Sequence, residues 1–305
     1  MCIEHHLRSR KSAYRGALLG LALGDALGAV YEGGLPERLL WKILGRSAGG
    51  RRRYTDDTQM TLDILESYME CGDIDQEDIA RRFAIGYRFD RGYGRSTAHV
   101  LKLIGEGVHW RDASRSLYKE GSYGNGAAMR AASAALISSG DEERLRRVTI
   151  WISEITHPNP EAIEGAWLVA RVTMAALENM PIVAIRRGLI HWSRMREYRD
   201  AFSKMYERDV AERSDFACSR LGNSTRASKS VPSAICYALE YLHRPFGEMM
   251  DDICGAGGDT DTIGAMAGAI WGAYNGVEAF GDRLRGKVEN EERILSIADS
   301  IYDMS

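Results

Sequence analysis

Apolar residues recur along the chain at helical spacing and almost nowhere at the period of two that marks strands. Met60, Ile64, Leu65, Tyr68 and Met69 fall at i, i+4, i+5, i+8 and i+9, one face of a helix that opens at Thr55-Asp56-Asp57-Thr58 and is capped by Gly72. Similar patterns predict helices over 75–87, 97–106, 127–137, 145–156, 161–177 and 291–302, with another starting at Ser230-Val231-Pro232. The fold class is therefore all-α. No Pro/Ser linker or composition break divides the chain, so residues 13–305 are expected to form one domain behind a polar, flexible start at 1–12.

Two stretches depart from ordinary amphipathic patterning. From Ile263 to Ala273 there is no charged residue, and a helix apolar on every face is a buried helix. In the stretch from Tyr14 to Gly28, glycines stand at 16, 20, 24 and 28. A helix with one all-glycine side makes sense only where another backbone packs closely against it.

Composition narrows the function classes. Hydrophobic residues are 45% and charged residues 27% of the 305, and the formal net charge is −3. These values suit a soluble globular protein and give no basic footprint for nucleic acid. The first apolar run, Ala17 to Leu23, is too short to span a bilayer and is followed by Asp25. No signal peptide is visible before it, so a cytoplasmic protein is expected. The five cysteines show no C-x-x-C spacing and are expected to be free thiols, with Cys254 a small core filler. The charge-rich stretch 182–213 reads as solvated helix faces.

The candidate chemistry lies in two acidic clusters. Gly257-Gly258-Asp259-Thr260-Asp261-Thr262 precedes the uncharged helix, and Thr55-Asp56-Asp57-Thr58 precedes the helix described above. Either cluster alone reads as ordinary capping, where one Asp or Thr suffices. Both clusters double their carboxylates, and no Lys or Arg stands close in sequence to Asp259 and Asp261. Hard oxygen donors in that number suit Mg²⁺ or Mn²⁺, and four carboxylates suit two ions better than one. Asp25 is a candidate carboxylate behind such a site, or a helix-end residue. Glu32 is an active-site carboxylate or an exposed loop residue. The small-residue loop Gly121-Ser122-Tyr123-Gly124-Asn125-Gly126 can offer backbone N–H groups to phosphate. His157 is a ligand contact or an ordinary helix-end residue.

Together these residues resemble the ADP-ribosylglycohydrolase family over most of the chain, from about Tyr14 to Gly276. The anchors are Gly24-Asp25-Ala26-Leu27-Gly28 with Tyr31-Glu32, Thr55-Asp56-Asp57-Thr58, Gly124-Asn125-Gly126 with Ala128-Met129-Arg130, Thr156-His157, Ser230-Val231-Pro232 and Gly258-Asp259-Thr260-Asp261-Thr262. The resemblance implies a compact helical fold with a two-metal Mg²⁺ or Mn²⁺ centre held by Thr55, Asp56, Asp57, Asp259, Asp261 and Thr262. It implies that Gly121 to Gly126 hold a diphosphate, that His157 lies along ADP-ribose, and that Glu32 is catalytic. Tyr31-Glu32 and the 121–126 loop look like the branch that releases ADP-ribose from serine and cleaves poly(ADP-ribose). The arginine-specific branch has an acid where Tyr93 stands here, with Asp90 the nearest carboxylate, which argues against an arginine-linked acceptor. The expected partner is an ADP-ribosylated acceptor. The competing expectation is an ADP-ribose-binding or immunity protein that neutralises an ADP-ribosyltransferase by occlusion.

Overall fold

The computed structural model describes residues 8–211 and 218–305. Five helices position the site: α1 (Arg10–Gly28), α2 (Asp56–Cys71), α3 (Pro160–Leu177), α4 (Ala227–Tyr241) and α5 (Thr260–Asn275). Further helices surround them, and the described residues contain isolated β-bridges but no strand.

The glycine stripe of α1 finds the partner its spacing requires. It packs antiparallel against α5, with Gly16 on Gly272, Gly20 on Gly268, Gly24 on Gly264 and Gly28 on Thr260. A β-carbon on Gly20 would stand 2.1 Å from the Gly268 carbonyl oxygen. No side chain fits there, so the two backbones touch and the pair becomes the buried axis of the fold. The uncharged helix is buried from Thr260 to Ala273, with α3 and α4 packed on its other sides.

Local chemistry sets the helix ends. Ser9 caps α1 by accepting the Ser12 N–H. Asn159 caps α3, with Pro160 in the first turn where its missing N–H costs nothing. Gly72 closes α2 in the left-handed region, at φ 78°.

Some elements differ from the sequence expectation. The 127–137 helix is a 3₁₀ turn at Asn125–Ala127 and a helix at Ala132–Ser138, and the Gly126 carbonyl in that turn accepts from the Arg130 guanidinium at 2.7 Å. α4 starts at Ala227, so Pro232 lies inside it. Residues 45–53, rich in Gly and Arg as a flexible loop would be, are instead pinned by bridges from Arg52 to Arg46 and Val288. Residues 1–7 and 212–217 lie outside the described residues, including Cys2 and part of each of the 1–12 and 182–213 stretches.

One expectation is corrected outright. Cys218 and Cys236 are not free thiols but a disulfide, with Cα atoms 5.7 Å apart. The fold lays the 3₁₀ turn Cys218–Leu221 on α4, where the Ser233 hydroxyl donates to the Cys218 carbonyl at 2.9 Å. That brings two distant cysteines within bridging distance, which no sequence spacing announced. Cys71 is free and exposed, and Cys254 is free and half-buried. No helix among the described residues is long and apolar enough to cross a membrane.

Candidate active site

Asp25, near the C-terminal end of α1, ties that helix to the start of α2. Its carboxylate accepts the Thr55 N–H at 2.9 Å, the Thr58 N–H at 3.1 Å and the Thr58 hydroxyl at 2.5 Å. Asp25 is thus a helix cap supplied from another helix. Thr55 supplies the local cap, its hydroxyl accepting the Asp57 N–H at 3.3 Å. Capping of α2 therefore consumes neither Asp56 nor Asp57.

The second cluster behaves alike. Asp259 occupies the N-cap position of α5 but makes no side-chain capping bond. Its carboxylate instead accepts from the Asn125 side-chain amide, which also donates to the Ser230 hydroxyl at 2.9 Å. Asp261 accepts the Thr262 N–H at 2.8 Å. Capping therefore accounts for none of Asp56, Asp57 and Asp259, and for one oxygen of Asp261 alone.

The clusters meet in one cavity of about 300 Å³, whose lining includes Glu32, Asp56, Asp57, Asp259, Asp261 and Thr262. Carboxylate oxygens of Glu32, Asp259 and Asp261 lie within 4.8 Å of one another. Asp56, Asp57, Asp259 and Asp261 are all buried, and one oxygen of Asp57 has no hydrogen-bond partner among the described residues. Burial, together with the neighbouring carboxylates, holds the carboxyl groups of Asp56, Asp57 and Asp261 well above the usual range. So many buried acids with an orphaned oxygen fit a hard divalent cation.

The small-residue loop forms another part of the lining and adjoins the acids through Asn125. Ser122, Tyr123, Gly124, Asn125 and Gly126 line the cavity with His157. An antiparallel bridge from Gly124 to Arg226 pins the loop, through the Asn125 N–H to the Thr225 carbonyl at 2.9 Å and the Ala227 N–H to the Tyr123 carbonyl at 3.1 Å. Gly126 is packed so tightly on the His157 ring that an added β-carbon would lie 2.4 Å from Cε1. His157 is buried, and burial plus the nearby Arg130 charge lowers its pKa to about 3, so the ring is neutral. Two expected site residues do not line the cavity: Thr55 sits behind it as the cap, and Gly121 packs on Pro158.

Several residues hold the site in roles the sequence did not announce, Arg130 among them although it stands in one anchor of the resemblance. Arg130 is fully buried and donates to the Gly126 carbonyl at 2.7 Å, the Ile152 carbonyl at 2.9 Å and the Thr156 hydroxyl at 2.8 Å. It ties the loop to the segment carrying His157, and its charge reaches Asp56 and Asp57 although it bonds neither. Arg226 is fixed by two 2.7 Å bonds to Glu161, and Asn223 receives the Asp259 N–H at 2.9 Å. Asp90, the carboxylate nearest Tyr93 in sequence, is paired with Arg53 and Arg88 and does not line the cavity.

Comparison with known proteins agrees with this architecture. The ADP-ribosylglycohydrolase family model matches residues 6–305. The chain is 32% identical to ADP-ribosylhydrolase ARH3 of Xenopus tropicalis, over 88% of each chain. It is 28% identical to the ADP-ribosyl-[dinitrogen reductase] glycohydrolase of Rhodospirillum rubrum, over 91% of this chain and 92% of that one. A solved ADP-ribosylglycohydrolase-related protein complex superposes with a TM-score of 0.74 at 26% identity, covering 98% of this chain and 100% of the other. The chain belongs to the ADP-ribosylglycohydrolase family, a family of hydrolases that cleave glycosidic bonds.

Proposed function

We propose that this protein removes ADP-ribose from a modified acceptor by hydrolysing the bond at the ribosyl C1″, with two Mg²⁺ or Mn²⁺ ions in the acidic cavity. The observation that carries the reading is the meeting of two aspartate clusters, neither consumed by capping, beside an orphaned Asp57 oxygen. Asp56, Asp57, Asp259, Asp261 and Thr262 would hold the ions from inside the cavity, while Thr55 behind them caps α2 and fixes Asp57. When bound, the ions supply Lewis acidity toward the ribose oxygens and balance the buried carboxylates.

The chain's own groups do the rest. Glu32 stands beside Asp259 and Asp261, where it can move a proton to the leaving oxygen or from the attacking water. The developing oxocarbenium character is stabilised by the surrounding carboxylates. Ser122 to Gly126 would hold the diphosphate, and neutral His157 offers hydrogen bonds without cationic charge. Tyr118 and Tyr123, half-exposed with ring centroids 6.5 Å apart, line the same cavity and offer stacking surface to a base. The Tyr93 hydroxyl is no substitute for an acid, because burial and Asp56 keep it protonated. A serine-linked acceptor is therefore favoured over an arginine-linked one.

The test is release of ADP-ribose from serine-linked, arginine-linked and polymeric substrates, with divalent metal and with chelator. Metal-dependent release, fastest from a serine-linked or polymeric substrate, is expected. Absence of release from every substrate would reject the hydrolase reading.

A further inference from the structure

Among the described residues, Arg95 is the one arginine or lysine that lines the acidic cavity. It begins the helix Arg95–Gly105, on the wall whose Gly92 packs against Thr55 and Asp56. The arginines around the site are all engaged elsewhere. Arg226 is bound by Glu161, Arg130 by backbone and Thr156, and Arg91 by Glu289 and the Tyr54 carbonyl. Arg95 makes no hydrogen bond, ion pair or ring contact among the described residues, although five carboxylates line the same cavity. A guanidinium so placed pays nothing to leave a protein partner when an anion arrives, and it presents a fork suited to phosphate or carboxylate oxygens. Arg95 is thus a positive side chain in a lining that also carries five carboxylates, and it favours the entry of an anionic substrate.

We propose that Arg95 is a cationic side-chain contact of this cavity, beside the 122–126 loop, and binds a phosphate-class oxyanion of the substrate. This rests on the ADP-ribose reading above. The anion has two possible sources with the same chemistry: the diphosphate of ADP-ribose, or an anionic group beside the modified residue of the acceptor. The adjoining Ser96 and Thr97 line the same wall, and Gly94 at the helix N-cap position leaves the first-turn amides without a side-chain cap. The exposed position of Arg95 lets it be replaced without disturbing the core.

Calorimetric titration of ADP-ribose into the metal-loaded wild type, Arg95→Ala, Arg95→Lys and Arg95→Glu tests this, alongside kcat/KM on serine-linked peptides with neutral or phosphorylated flanks. A roughly tenfold or larger rise in Kd for Arg95→Ala, larger for Arg95→Glu and partly restored by Arg95→Lys, assigns the diphosphate. Unchanged ADP-ribose affinity, with kcat/KM falling only on the phosphorylated peptides, assigns the acceptor. If neither quantity moves in any variant while the wild type binds ADP-ribose, the inference is overturned and the functional reading stands. If the wild type itself binds no ADP-ribose, the functional reading falls, and this inference with it.

Discussion

Gly28 lies directly against the backbone that carries Asp261: a β-carbon on Gly28 would stand 2.6 Å from the Asp261 Cα and 2.2 Å from the Thr260 carbonyl oxygen. The same helix places Asp25 three residues earlier, where it accepts the Thr55 and Thr58 amides. The glycine contact therefore sets the distance between the two acidic clusters. Fold and site share one spacing.

Gly28→Ala should consequently cost both stability and metal affinity. Overpacking one methyl against backbone costs roughly 1–3 kcal/mol. Thermal unfolding should show a lower Tm, with less recovery on adding Mn²⁺ than the wild type shows. An unchanged Tm would mean that the two helices separate easily.

Gly126→Ala probes the small-residue loop. Its added carbon meets a buried His157 ring held by the Thr156 hydroxyl, so the loop must move. ADP-ribose should bind on the order of tenfold more weakly, about 1.4 kcal/mol, with metal affinity unchanged. Loss of metal binding as well would show that the loop and the acidic clusters are not separable.

Glu32→Gln keeps the shape of the side chain and removes its proton chemistry. Turnover should fall by roughly a hundredfold or more, while ADP-ribose affinity stays within a few-fold. Near-normal turnover would reject the catalytic assignment.

Asp63 gives a pH signature away from the substrate. One oxygen accepts from the Gln59 amide at 2.8 Å, and the other is buried without a partner among the described residues. Burial pushes its pKa from 3.8 up to about 7. The folded state thus holds this proton more tightly than the unfolded state, so Asp63 lowers stability as pH rises between those values. Asp63→Asn should be more stable than the wild type at pH 8, and that advantage should shrink by on the order of 2 kcal/mol at pH 5. A constant difference in denaturant midpoint across this range would contradict it.

Much of this was legible in the sequence because its signals are local or periodic. Four glycines at i, i+4 spacing required a close backbone neighbour, and Gly264, Gly268 and Gly272 answer in the uncharged helix. The paired Asp-Thr clusters were likewise visible as an excess over capping. What stayed hidden depends on contacts that no local pattern encodes. The disulfide between Cys218 and Cys236 follows from how a 3₁₀ turn lands on α4. Arg130 stands in one anchor of the resemblance, but nothing there shows its role: it is fully buried and ties the loop to the segment carrying His157. Glu161 reads as a helix-start acid and proves to anchor Arg226 behind the loop.

The central claim is that two clusters at opposite ends of the chain form one divalent-metal centre. Titration calorimetry of Mg²⁺ and Mn²⁺ into metal-stripped protein tests it most directly, with Asp57→Asn and Asp261→Asn run alongside. The account predicts uptake of two ions by the wild type and at least roughly tenfold weaker binding in each variant, about 1.4 kcal/mol or more. No uptake by the wild type, or variants from both clusters that bind as it does, would contradict it.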